Sequence, residues 1–221
     1  MSAIRQLAQF PIAVAIRVSP FIHGTVARLY WSRATATHGD MSDERFSFYA
    51  DSIYRLLGRE PRGVLLDFAA GQGQIGLRLA ARGLTVEYSE YSPKFIEQMR
   101  RAGLTVFRND DIPKDRCDFV LCNNAIFYCH PRTVMRHVTS LLSSLKVGGK
   151  LLLTDVPTRQ RSDRLLPGPI QKLMWIMTDA YQPLMGGFFV DENAVKQVFP
   201  ACIIHDSWAP YRRHFVIARG G

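Results

Sequence analysis

The order of apolar segments predicts an α/β fold: a doubly wound sheet, mostly parallel, with helices on both faces and an antiparallel C-terminal strand pair. Three observations carry that reading. Short continuous apolar runs recur at 64–69 (VLLDFA), 84–89 (LTVEYS), 104–107 (LTVF), 118–123 (DFVLCN) and 150–156 (KLLLTDV). Segments of helical spacing lie between them, at about 74–82, 93–102 and 131–145. Runs apolar at every position are strands covered on both faces, and helices between them supply the cover. The last two runs, 201–209 and 211–219, abut around Pro210 with no room for a crossover helix, so they must pair antiparallel.

Ahead of the sheet the pattern is helical. On a wheel, residues 4–18 place Leu7, Phe10, Pro11, Val14, Ala15 and Val18 on one side and Gln6, Gln9 and Arg17 toward the other. This is a weak cationic amphipathic pattern, which suits a membrane surface or packing on the chain's own domain. Arg5, Arg17 and Arg28 interrupt the apolar N-terminus and Pro11 and Pro20 break it, so no run reaches the roughly 18 apolar residues of a membrane span. Ala13-Val14-Ala15 has the small-x-small form of a cleavage site, but the core before it is short and holds Gln6, Gln9 and Pro11, against secretion. Residues 1–41 therefore read as a helical extension. From 42 to 57, Phe46, Tyr49, Ile53 and Leu56 share one helical face, with Ser42 as cap, Asp43 and Glu44 in the first turn and Gly58 as the stop. Residues 42–221 read as one domain with a lid-like insertion at 157–190.

Composition narrows the class. A chain of 221 residues, 47% hydrophobic and 21% charged, can bury roughly 70% of its unfolded surface, which excludes disorder and small stapled scaffolds. Cys117, Cys122, Cys129 and Cys202 form no CxxC pair, are too sparse for a disulfide framework and point to a reducing, cytoplasmic setting. The formal net charge of +9 suggests nucleic acid, an anionic membrane surface or an acidic substrate.

The sharpest local signal is VLLDFAAGQGQIGLRLA, a strand that runs through small residues and glycines into a helix. Glycines allow tight turns and close backbone approach to a ligand, and the helix start presents free N–H groups. Gly71, Gly73 and Gly76 match the GxGxxG dinucleotide fingerprint, with Glu90 at the end of the next strand for ribose hydroxyls, and an NAD-dependent oxidoreductase is one reading. Asp67 favours another. A carboxylate four residues before Gly71 would repel a pyrophosphate but attract a cation such as the sulfonium or ammonium of S-adenosylmethionine. Ligands of open α/β sheets bind at the carboxyl ends of strands, where Asp67, Glu90, Asp110 or Asp111, and Asn123 would converge.

These residues, with LKVGGKLLLTDVP before the fifth strand, resemble the class I S-adenosylmethionine-dependent methyltransferases over roughly residues 42–219. The resemblance implies a Rossmann-like fold and S-adenosylmethionine as cofactor. The acid-and-glycine motif is Asp67-Phe-Ala69-Ala-Gly71-Gln-Gly73, with Ala69 where the first glycine usually stands. It further implies that Glu90, followed by Tyr91, holds the ribose hydroxyls, that Asp110 or Asp111 meets the adenine amino group beside Ile112, and that Asn123 and Asn124 flank the methionyl part. The segments GGKLLLTDVPTRQRS and YRRHFVIAR resemble methyltransferases found with bacterial surface-polysaccharide synthesis.

Methyl transfer from a sulfonium is an in-line displacement, and alignment can supply roughly 7–11 kcal/mol of barrier reduction. A hydroxyl or ammonium acceptor must also lose a proton, and a placed base adds about 10²- to 10⁴-fold. His130 in FYCHP is the candidate base, with Tyr128 orienting the acceptor; alternatively, Pro131 opens the next helix and His130 serves a loop backbone group. No cluster has metal-ligand spacing, and none is expected. Met174, Trp175, Met177, Tyr181, Met185 and Phe188 suit an apolar lid hinged at Gly186 and Gly187, or a plain core helix. The chain reads Asn123-Asn124-Ala125-Ile126 where base-methylating relatives carry an NPPY-type tetrad, and its arginines are scattered, both against nucleic acid. The expected acceptor is a small molecule, sugar or lipid-linked compound. Phospholipid or quinone-like lipid methylation at the inner membrane face is the alternative within this class, and cofactor binding without catalysis is a third reading.

Overall fold

The computed structural model describes residues 9–33, 42–166, 168–182 and 187–220, with side chains of Ser32, Arg33, Tyr181 and Gln182 excepted. The expectations for residues 4–8, Met185 and Gly186 lie outside them, as do those for the side chain of Tyr181.

Helices α1 (Phe10–Val18), α2 (Pro20–Arg33) and α3 (Asp43–Leu57) precede the sheet. Ser42 caps α3 by accepting the Arg45 N–H, and Gly58 closes it at φ 125°. Strands β1 (Val64–Phe68), β2 (Thr85–Glu90), β3 (Val106–Arg108), β4 (Cys117–Asn123) and β5 (Leu145–Pro157) alternate with α4 (Gln74–Ala80), α5 (Pro93–Arg101) and α6 (Val134–Ser144). The 157–190 insertion holds a 3₁₀ segment (Arg159–Arg164), α7 (Pro169–Thr178) and the strand pair β6 (Ala180–Gln182) and β7 (Gly187–Phe188). Helix α8 (Glu192–Val198) leads into β8 (Ile203–Asp206) and β9 (Arg212–Ala218).

The main sheet has seven strands in the order β3-β2-β1-β4-β5-β9-β8. β1 to β5 are mutually parallel, and β9 runs antiparallel to both β5 and β8, the reversal that the abutting C-terminal runs require. β4 is the middle strand, and β1 beside it has Leu65 and Leu66 fully buried. One layer packs α6 and α8 over Leu66, Val120, Leu151 and Phe215; the other packs α3 and α4 over Leu65, Leu121 and Leu152. Covering helices on both faces explain why these strands read as continuous apolar runs. Helix α6 starts three residues later than the sequence suggests, because residues 131–133 form a turn in which the Thr133 and Val134 N–H groups bond to His130 O. β5 starts five residues earlier, at Leu145, pairing with Cys117.

Candidate cofactor and acceptor site

Strand order changes direction at β1 and β4, and the crevice outside their carboxyl ends is where such sheets bind ligands. Here Ala69, Gly71 and Gly73 have φ of 55°, 59° and 73°, a left-handed residue at every second position. An alanine there costs roughly 1–2 kcal/mol, so Ala69 is held by its surroundings in the conformation a glycine would adopt freely. Gly76 has a different reason to lack a side chain. A Cβ there would lie 2.5 Å from Tyr88 Cε1 and 2.9 Å from Asp67 Oδ2, so only glycine lets α4 close on the sheet.

Two carboxyls converge on this loop. Asp67 is 3% exposed at the end of β1 and accepts the Gly76 N–H. Burial pushes its pKa up to about 7; the Gly76 bond opposes the rise and the nearby Glu90 charge adds to it. Glu90 at the end of β2 accepts the Gly71 N–H at 2.6 Å through Oε2, and the Tyr91 and Ser92 N–H groups at 2.7 and 2.9 Å through Oε1. Burial raises its pKa and these three bonds oppose that. A carboxylate has about four lone-pair sites, so Glu90 keeps one for a ligand hydroxyl.

An open cleft adjoins the loop, lined by Phe46 of α3, Asp67, Ala69, Gln72, Gln74 and Asn123 among others. Four buried polar atoms along the strand ends have no protein partner: Ser89 Oγ, Ser92 Oγ, Asn109 Oδ1 and Asn123 Nδ2. Buried polar groups are rarely left unpaired, and a row of them marks a place for a polar ligand. Both donors and acceptors are among them, as a nucleoside with an amino-acid tail requires. The residues present therefore fit S-adenosylmethionine: Asp67 toward its cationic groups, Glu90 toward the ribose, and Asn123 Nδ2 as a donor at the cleft.

β5, whose Thr154 hydroxyl donates to Asn123 Oδ1, carries a second polar cluster. Between Leu153 and Val156 the pairing with β9 shifts by one residue, a β-bulge, and within it Asp155 adopts φ 57°. Asn124, just past β4, has φ 52°. Bulges beside active sites re-aim side chains, and this one turns Asp155 into a buried polar group. Arg212 Nη1 donates to Asp155 Oδ2 at 2.9 Å and to its carbonyl at 2.7 Å, and also to Asn124 Oδ1. Ser207 Oγ donates to Asp155 Oδ1 at 3.1 Å. The Asp155 N–H donates to Nδ1 of buried His214, whose pKa burial and His205 lower to about 4. Burial also raises the Asp155 pKa, opposed by Arg212 and Ser207. Around this centre Tyr49 stacks on Trp208 at 4.2 Å, and Arg212 lies over Phe127 and Tyr211.

Of the residues expected at the site, Asp67, Ala69, Gly71, Gly73, Glu90 and Asn123 meet at the cleft or its loop. Tyr91 contributes its N–H to Glu90 while its side chain is exposed. Asn124 faces Arg212 instead of the cleft. Asp110 is exposed and pairs with Arg108 at 3.3 Å, Asp111 is exposed, and Ile112 packs against the core. Asn109, with its unpartnered buried oxygen, is the better-placed acceptor for an amino group, and its one signal in the sequence is its position directly after β3.

His130 is 1% exposed; the Arg132 N–H donates to its Nδ1 at 3.1 Å, and its Nε2 lies 3.0 Å from Arg17 O, to which it donates. Both nitrogens serve backbone groups, and burial lowers its pKa. This geometry matches the loop-backbone role and corrects the expectation of a free base. Tyr128 stays beside Asp155 and Arg212, packed on Trp31 at 5.3 Å, its pKa pushed up to about 12 by burial. Asp155, Arg212 and Ser207 were missed because only the bulge and the reversal of β9 bring them together.

No protein-family model and no curated protein matches this chain. Solved structures do. A Burkholderia thailandensis 1,6-didemethyltoxoflavin-N1-methyltransferase with bound 1,6-didemethyltoxoflavin and S-adenosylhomocysteine aligns at TM-score 0.61 and 16% identity, over 92% of this chain and 91% of that one. The magnesium protoporphyrin IX methyltransferase from Synechocystis with bound S-adenosylhomocysteine aligns at 0.59 and 15%, over 87% and 93%. An O-methyltransferase family protein from Burkholderia thailandensis aligns at 0.56 and 15%, over 81% of this chain but 58% of that one. The fold is thus that of S-adenosylmethionine-dependent methyltransferases, a Rossmann-like sheet with a reversed strand near its C-terminal edge.

Proposed function

We propose that this chain is an S-adenosylmethionine-dependent methyltransferase acting on a small-molecule acceptor. The observation that carries the reading is the buried Asp67 carboxyl beside the left-handed glycine loop, flanked by unpartnered polar atoms at the ends of β2, β3 and β4. A negative group there opposes a pyrophosphate and favours a cation, which argues against a dinucleotide. Bound S-adenosylmethionine supplies an electrophilic methyl group on a sulfonium.

The chain's own residues do the rest. Asp67 and Glu90 hold and orient the two ends of the cofactor, with Asn109 at the adenine side and Asn123 at the methionyl side. Tyr128 keeps its proton and donates it in a hydrogen bond that orients the acceptor. Asp155 takes the proton that an ammonium acceptor loses before, or a hydroxyl acceptor loses as, its lone pair meets the methyl carbon. Two of its lone-pair sites are used by Arg212 and Ser207, leaving two, and its raised pKa makes it a better base. Arg212 positions that carboxylate. The 157–190 insertion walls the acceptor side, with Met174, Phe188 and Phe189 buried. A lipid-linked acceptor is favoured over a nucleic acid by the apolar exterior of the neighbouring N-terminal helices, with the domain from residue 42 carrying the chemistry and residues 1–41 the membrane contact.

Calorimetry with S-adenosylhomocysteine and with NADH tests the cofactor reading. Binding of S-adenosylhomocysteine without NADH is the expected result; NADH binding alone overturns it. Labelled methyl donor incubated with cell extract, followed by mass spectrometry, then identifies the acceptor.

A further inference from the structure

Exposed apolar side chains are concentrated in one part of this molecule. Of sixteen large hydrophobic residues exposed among the described ones, ten lie on α1, α2 and α7. α1 packs against both α2 and α7, so the three helices adjoin. Isolated exposed hydrophobics are ordinary, whereas a cluster marks an interaction surface.

In an ordinary surface helix the apolar stripe faces the core, whereas α1 and α2 also carry apolar side chains outward. α1 turns Ala13 and Ile16 inward, and Ile16 packs with Val26, Ala180 and Phe188. Pro11, Val14 and Val18, part of the apolar side of the helical wheel, face solvent. On α2, Phe21, Ile22, Thr25, Arg28 and Leu29 recur at i, i+1, i+4, i+7 and i+8 and are exposed, Phe21 at 81%. On α7, Ile176 is 73% exposed and Met177 60%. Among the described residues no single helix is long and apolar enough to cross a membrane, and α1 and α2 meet at a bend of 119°.

Charge selects the occupant. The first 39 residues contain four arginines and no aspartate or glutamate. Arg28 lies within the apolar face of α2, Lys172 is exposed on α7, and Arg132 beside α1 donates to Val18 O at 3.4 Å. A second copy of the chain would bring Arg28 and its neighbours against like charge, and Asp179 at the end of α7 is already paired with Arg159. Anionic headgroups above an apolar layer complement both features.

We infer that the joined outer faces of α1, α2 and α7 seat this protein on an anionic lipid bilayer. The inner side of this layer packs on the segment after β4 that holds Tyr128: Trp31 packs on Tyr128, and His130 is bonded to Arg17 and packed edge-on to His23 at 5.6 Å. An acceptor held in the bilayer would therefore enter beside Tyr128. The surface stands without the methyl-transfer reading and tells the two apart experimentally.

The test is co-sedimentation of the full chain with phosphatidylcholine vesicles, with and without phosphatidylglycerol. The double variant Phe21→Glu/Ile176→Glu and the single variant Arg28→Glu are run in parallel, each checked by circular dichroism. Binding about tenfold or more stronger to phosphatidylglycerol vesicles, weakened by salt and lost in the double variant, is expected. Arg28→Glu keeps the apolar face and loses the charge preference. No pelleting overturns the inference, as does equal pelleting on both vesicles. A dimer in sedimentation equilibrium that these substitutions dissociate, without vesicle binding, also overturns it. Calorimetry with S-adenosylhomocysteine on the same proteins reads the cofactor site separately, and its failure leaves this surface standing.

Discussion

Replacing Asp67 with asparagine removes a charge while keeping an oxygen for the Gly76 N–H. The folded carboxyl titrates near 7 against an ordinary 3.8. The folded state therefore holds a proton that the unfolded chain has released, so stability falls as pH rises between about 4 and 7 and levels off above that. About three pKa units at roughly 1.4 kcal/mol each set an upper bound of about 4 kcal/mol on the penalty of the ionised form. Urea unfolding at several pH values measures it. Asp67→Asn should be more stable than the parent by about 2–4 kcal/mol at pH 8, with the advantage shrinking toward zero near pH 4. The same variant should lose about 30-fold or more in affinity for S-adenosylmethionine, because a hydrogen bond to a charged group contributes about 2–3 kcal/mol. In the parent, affinity should rise with pH up to about 7, as the carboxyl ionises, and then level off. A stability difference that does not change with pH, or a variant that binds within about threefold of the parent, refutes this account. The stability cost and the binding gain then share one cause, a carboxylate kept from water until a cation arrives.

Three further outcomes follow from the same physics. His214, held near pKa 4 against an ordinary 6.5, must stay neutral when folded, so stability is lost as pH falls through that window, by about 3 kcal/mol; His214→Gln should flatten this acid limb in urea titrations. Gly76→Ala drives a methyl against Tyr88 and Asp67 and should lower stability by about 2 kcal/mol and abolish calorimetric binding of S-adenosylhomocysteine. Arg212→Ala leaves the buried Asp155 charge without its ion-pair partner, held by the Ser207 hydroxyl, and should cost about 3 kcal/mol at pH 7, less at low pH where Asp155 gains its proton; thermal unfolding across pH checks it.

The alternation of apolar runs and helices was enough to predict the seven-strand architecture of the main sheet, because strands covered on both faces must be apolar throughout and abutting runs cannot cross over. The glycine loop was equally legible. Asp67, Gly71, Gly73 and Glu90 lie within one strand–loop–helix–strand unit, so local spacing already brings them together. Ala69 looked like a departure from the motif, yet it adopts the left-handed conformation of the glycine it replaces. His130 misled because a histidine beyond a strand end reads as a base, whereas its two nitrogens are taken by Arg17 and Arg132, one of them more than a hundred residues away.

What the sequence determined by itself was local: which segments are strands, where the chain turns, and which acids adjoin the glycines. Only the tertiary structure decided what depends on distant segments meeting. The bulge in β5 and the reversed β9 join Asp155 to Arg212 across 57 residues. The packing of α1 and α2 leaves apolar side chains of both outward, because Ala13 and Ile16 fill the contact with the domain. Hydrophobic periodicity is the same whether a stripe faces a core or a lipid surface, and only the fold shows which side is already covered.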